Sequence, residues 1–245
     1  MPKAGQLLAL GLALVALISP AQAQDLTLSL GDDGSLATRS IQLLVLVTLL
    51  SLVPGLAVMV TCFPFIVTVL AILRQAIGLQ QSPPNMLIVS LALFLTYFVM
   101  EPTFTQAWTN GVQPLMDGKI EIEPAFALVM DPFRNFMAAR IDPDTFAELL
   151  ALRPDAALAD APLPQAPLSI LVPSFLLSEI ARAFQIGFLV FLPFLIIDLV
   201  VAAVLMSMGM MMVPPAIVSL PFKLAFFVVA DGWSLISGAL VRSYF

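Results

Sequence analysis

The sequence predicts an all-α membrane protein, with about four long, kinked apolar helices paired as hairpins and an acidic helical insertion held outside the bilayer. Three observations predict it. Of the 245 residues, 60% are hydrophobic and 11% charged, more apolar surface than a soluble core of this length hides. The apolar residues fall in runs long enough to cross a hydrocarbon layer of about 30 Å. The acidic residues gather centrally, with ten Asp and Glu against four Lys and Arg between Glu101 and Ser169.

The first element is a processing signal over residues 1–23. Lys3 supplies the positive start, Leu7 to Ile18 the apolar stretch, and Ala21-Gln22-Ala23 the small-residue cleavage motif. Cleavage after Ala23 would leave a mature chain starting at Gln24; the alternative is an uncleaved first anchor. Residues 24–100 then read as an N-terminal helical hairpin. Its apolar run from Ile41 to Leu73 would make a single helix about 50 Å long. Pro54-Gly55 and Pro64 interrupt that run, so it is a kinked or broken helix, or two short ones. Ser82-Pro83-Pro84-Asn85 is a loop, and Met86 to Met100 the next apolar helix.

Residues 101–169 form the acidic insertion. Asp131 to Met137 and Thr145 to Leu152 read as short amphipathic helices, and Pro154 to Pro167 as a linker. Residues 170–245 form a C-terminal hairpin, one helix from about Ala183 to Val213 and one from about Leu220 to Val241, separated by Pro214-Pro215. The loop from Arg74 to Asn85 has one positive charge and no acid, which assigns it to the cytoplasm and the insertion to the periplasm.

Composition also excludes functions. Histidine is absent, which removes Ser/His/Asp and Cys/His catalysis and the commonest zinc sites. There is no phosphate-binding glycine motif. The one cysteine, Cys62, lies in an apolar stretch and reads as a small buried hydrophobe. With a net charge of −6, nothing points to nucleic acid. No catalytic residue, metal site or cofactor is expected.

Two groups of residues remain as candidates. Met206, Met208, Met210, Met211 and Met212 cluster before the double proline; such a cluster suits plain packing, or a soft constriction that yields to irregular shapes. Asp198, Lys223 and Asp231 lie within apolar segments, with Glu179 and Arg182 at a helix edge. A charge facing lipid at mid-span costs at least about 2.5–3.5 kcal/mol, so each should face protein or water. If Pro214-Pro215 turns an antiparallel pair, Asp198 and Asp231 lie at similar depth, with Lys223 the cation between them. This group would serve as a proton or ion relay, or as glue that sets helix register. Glu179 and Arg182, three residues apart, should form a local pair. Gly187, Ala202-Ala203, Gly209 and Gly238 would permit close helix approach.

Several ordered motifs carry a family resemblance. They are Leu73 to Gly78, Gln80 to Asn85, Leu91 to Thr96, Ala183 to Phe188, Phe194 to Asp198, Met208 to Pro215, Ser219 to Lys223 and Val229 to Trp233. Together they resemble the FliP family, the core subunit of the flagellar type III export gate. The resemblance implies a subunit assembling in several copies, as a pentamer, with FliQ and FliR, and with FlhB and FlhA beside them. Unfolded flagellar proteins would pass through the resulting channel in the cytoplasmic membrane. The resemblance also implies a methionine gasket at Met210, Met211 and Met212, and bent helical pairs that can sit above the bilayer plane. The chain departs from the family pattern at Phe63-Pro64-Phe65, where relatives often carry an Arg. It departs again at Ala181, where a Lys is usual and Arg182 follows. Alternative readings are the equivalent subunit of a virulence-type secretion system, an ion-coupled transporter, and an assembly scaffold without a pore.

Overall fold

A computed structural model describes residues 36–79, 83–152 and 162–245, all of whose regular elements are helical. The predicted signal peptide and most of the proline-rich linker lie outside the described residues. Contacts divide the chain at Leu49–Leu50, and everything below from Leu50 onward belongs to one compact unit.

The first helix, α1, runs Leu36–Met59, and its side chains from Ile41 to Val53 are exposed. Pro54 sits inside it without ending it, so the break falls later than the first proline, at Val60–Cys62. Pro64 explains that position. It occupies the first turn of α2, Phe63–Ile77, where its missing N–H has no intrahelical acceptor to lose. Helix α2 is the core of the unit, burying Phe65, Ile66, Val69, Leu70, Leu73, Ala76 and Ile77 at helical spacing. Gly78 ends it in the left-handed region (φ 88°), its N–H donating to the Gln75 carbonyl at 3.0 Å.

Helix α3, Asn85–Ala107, continues well past the expected end at Met100, through a short π-helical turn at Trp108–Val112 and a closing turn at Gln113–Met116. Gly111 explains the irregular turn: a Cβ there would lie 2.4 Å from Val129 Cγ2 and 2.9 Å from the Val129 backbone nitrogen. Only glycine lets α3 approach α4, Ile122–Ala138, that closely. Helix α5, Pro143–Ala151, starts at an Asp142 cap whose Oδ2 accepts from the Thr145 N–H at 3.2 Å and its hydroxyl at 2.9 Å. The insertion is therefore helical over more of its length than the two short segments expected.

Helix α6 spans Leu168–Ser207, 40 residues or about 60 Å. It starts long before Ala183 and stops before Val213. Its first part packs on the insertion, with Ser174 and Ser178 donating to the carbonyls one turn back at 2.8 and 2.7 Å. The expected last helix is two, α7 (Pro215–Val229) and α8 (Gly232–Arg242), bent by 61°. At that corner Asp231 takes a left-handed conformation (φ 49°), and Gly232 lies so close to the Phe227 ring that a Cβ would stand 2.2 Å from it. Phe194, Phe227, Ile236 and Leu240 bring α6, α7 and α8 into the core formed on α2.

Candidate functional site

Two polar junctions and one exposed loop carry the candidate residues. The first junction forms where α7 crosses the end of α2. Lys223 donates to Asp198 Oδ2 of α6 at 2.6 Å and to the Ala76 carbonyl at 3.0 Å. Ser219 donates to the other carboxylate oxygen of Asp198 at 2.6 Å. The Lys223 side chain is 7% exposed and that of Asp198 34%. A cation at the last carbonyls of α2 also complements that helix's negative end. One lysine therefore ties three helices together.

Asp231 stands apart from this junction. It lies exposed at the 61° corner between α7 and α8. Asp198 is instead satisfied by Lys223 and Ser219. Ser207 bonds the Val204 carbonyl of its own helix at 2.7 Å rather than a neighbouring one.

The second junction surrounds Glu179, which is 0% exposed. Arg182 reaches its Oε1 at 3.4 Å, the local pair its spacing predicts. Arg140, from the turn between α4 and α5, is closer: its Nε donates to the same oxygen at 3.0 Å. Tyr244, beyond α8, donates its hydroxyl to Oε2. Sequence reasoning missed Arg140 and Tyr244. Each is distant in sequence from Glu179, by 39 and 65 residues, so no local spacing could mark them. Phe65 places its ring edge-on against Tyr244.

The methionines occupy the end of α6 and the loop to α7. Gly209 takes a left-handed conformation there (φ 74°), turning the chain. Met206 and Met208 are exposed, Met211 is 83% exposed and Met212 98%. Below them an apolar groove of about 580 Å³ opens between α6 and α7, lined by Ile196, Val200, Val204, Met208, Met210 and Phe222. Of the small residues, Gly187 makes a tight approach, since a Cβ would stand 2.4 Å from Ile72 Cδ1 of α2. Among the described residues no group of His, Cys, Asp and Glu could hold a metal.

Cys62 is fully buried, in the break between α1 and α2. Burial pushes its thiol up from 9.0 to about 12, outweighing a hydrogen bond with Thr96. The native protein keeps this proton where an unfolded chain would release it, so the group's contribution to stability falls as pH rises from about 9 towards 12. A maleimide probe at pH 8 is expected to leave the native protein unlabelled and to label it once unfolded. Labelling of the native protein at the unfolded rate would contradict this burial.

Among the described residues, three helices are long and apolar enough to cross a membrane, or four if α7 and α8 count as one bent span. The molecule is a helical protein with helices able to span a membrane. It belongs to the FliP family, whose sequence profile matches residues 46–240. It is similar to the flagellar biosynthetic protein FliP of Caulobacter vibrioides, 48% identical over 95% of this chain and 88% of that protein. It is 45% identical to FliP of Bacillus subtilis, over 87% of this chain and 96% of the relative. For FliP of Aquifex aeolicus the identity is 43%, over 86% and 88% respectively.

Proposed function

We propose that this chain is the channel-forming core subunit of the flagellar type III protein export gate, passing unfolded flagellar proteins across the cytoplasmic membrane. The observation that carries the reading is the methionine loop. Met211 and Met212 project from the tip of the α6–α7 hairpin almost uncovered by their own protomer, and Met210 beside them lines the apolar groove. Unbranched thioethers from several copies, brought together, would make a constriction that closes around small ions and yields to a peptide. The exposed apolar lengths of α1 and α6 support assembly, since lipid or other subunits must cover them.

In this reading the chain assembles as a pentamer with FliQ and FliR, and FlhB and FlhA contact the assembly. It has no catalytic activity and takes no cofactor. The mature chain begins at Gln24, and the acidic insertion lies in the periplasm. Glu179, Arg182, Asp198 and Lys223 fix helix register, and Asp231 marks the α7–α8 corner. No observation favours a virulence-type system or an ion-coupled transporter; the relatives described carry flagellar names.

Changing Met210, Met211 and Met212 together to Ala is expected to raise resting ion conductance of membranes holding the assembled complex. Each change removes the flexible end of a side chain from the constriction while leaving the helices in place. A complex that assembles normally and stays ion-tight would refute the gasket.

A further inference from the structure

Four segments meet at Tyr244. Its ring stacks on Phe136 of α4, with centroids 5.9 Å apart, and meets Phe65 of α2 edge-on at 5.6 Å. The Arg140 guanidinium carbon lies 4.1 Å from the centroid of the same ring, a cation–π contact. Arg140 Nη1 donates to the Ser243 carbonyl at 2.8 Å, and the Tyr244 hydroxyl donates to Glu179 of α6. The pair Ser243–Tyr244 thus supplies an acceptor for Arg140, a face for its charge, and a donor for Glu179.

Arg140 depends on these contacts. Its Nη2 is buried and has no partner, and its Nε is committed to Glu179. With Ser243–Tyr244 withdrawn, Nη1 would also lose its acceptor and the guanidinium its nearer aromatic face, leaving the Phe65 ring at 5.9 Å. A buried cation with one remaining bond is less stable than one returned to water. The other holds on the turn are the Asp142 N–H, which donates to Ser178 Oγ at 2.9 Å, the edge-on contact of Phe136 with Phe175, and Met137 and Ile141, buried with Leu171 and Phe175 of α6.

We propose that Ser243–Tyr244 is a strap that adds to the apolar packing of Met137 and Ile141 and holds the polar side of the α4–α5 turn seated on α6. Burial, then the charge and hydrogen bond of Glu179, push the Tyr244 phenol well above its ordinary range. The charged and titratable groups facing it are Glu179 and Arg182 on α6, Arg140 in the turn, and Cys62 before α2. The strap stands on the fold and does not depend on what the assembled complex transports.

Hydrogen exchange on the full chain in detergent tests it. Tyr244→Ala is expected to speed exchange of amides in residues 139–146 by about tenfold, leaving the α2 amides at their wild-type rate. Tyr244→Phe keeps the ring and loses the hydroxyl, so a smaller acceleration at the same amides is expected. Unchanged exchange over 139–146 in both variants would overturn the strap, as would acceleration spread equally over α2. A second readout uses the fact that the chain has only two tyrosines. In a Tyr97→Phe protein, phenolate absorbance is expected only when the protein unfolds; its appearance in the native protein in the ordinary tyrosine range would also overturn the proposal.

Discussion

Arg140→Ala is expected to destabilise the detergent-solubilised protein by about 3–5 kcal/mol, read as a lowered denaturation midpoint. The size follows from what is left behind. Glu179 is 0% exposed, and without Arg140 its nearest cation is Arg182 at 3.4 Å, itself partly exposed to solvent. A buried carboxylate with a bond missing costs more than the pair contributes when intact, because desolvation of the remaining charge is no longer offset. The double change Arg140→Leu with Glu179→Leu tests the cause. It removes both charges and keeps apolar volume, so it is expected to recover much of the loss. If the double variant is as unstable as the sum of the singles, the charge pair is not what holds this junction, and the packing of Phe65, Phe136 and Tyr244 is.

The existence of each long helix was legible in the sequence, because apolar runs with few charges have few other solutions. Its ends were not. Proline inside an apolar run signals a kink, a start or a stop depending on what surrounds it. Pro54 and Pro173 lie inside helices, Pro64 opens one, and nothing in their local sequence distinguishes the cases. The left-handed corner at Asp231 did carry a signal, since Asp-Gly marks turns, but the apolar residues on both sides read as one continuous helix. Spacing alone gave the Glu179–Arg182 contact, three residues apart on one helix. It gave no route to Arg140, Tyr244 or the Ala76 carbonyl, which reach their partners only through tertiary packing.

The two junctions differ in what they join. The one at Glu179 ties the insertion and the segment after α8 to the first half of α6. The one at Lys223 ties α7 and the end of α2 to its second half. Between them, Gly187 lets α2 lie against α6 at close range, with Ile72 filling the space a side chain would occupy. A helix about 60 Å long, with Pro173 and Pro193 inside it, is thereby held in each half and in the middle. Its outward apolar face remains free for lipid or other subunits.

Lys223→Met is expected to lower stability by about 1–3 kcal/mol, and the direction of the accompanying changes identifies the reason. Methionine keeps the length and apolar stem of lysine but can donate to neither Asp198 nor the Ala76 carbonyl. Asp198 would retain the Ser219 hydroxyl and partial contact with solvent, which keeps the loss below that expected at Glu179. Adding Asp198→Asn removes the bare charge, so the double variant is expected to be more stable than Lys223→Met alone. Lys223→Arg keeps the charge, yet its planar fork cannot reproduce the compact ammonium that serves the Asp198 carboxylate and the Ala76 carbonyl at once. It is expected to fall between wild type and Lys223→Met. If Asp198→Asn fails to rescue, the loss comes from the uncapped end of α2 instead, and exchange of the Gly78 amide should then rise in Lys223→Met and stay at the wild-type rate in Asp198→Asn alone.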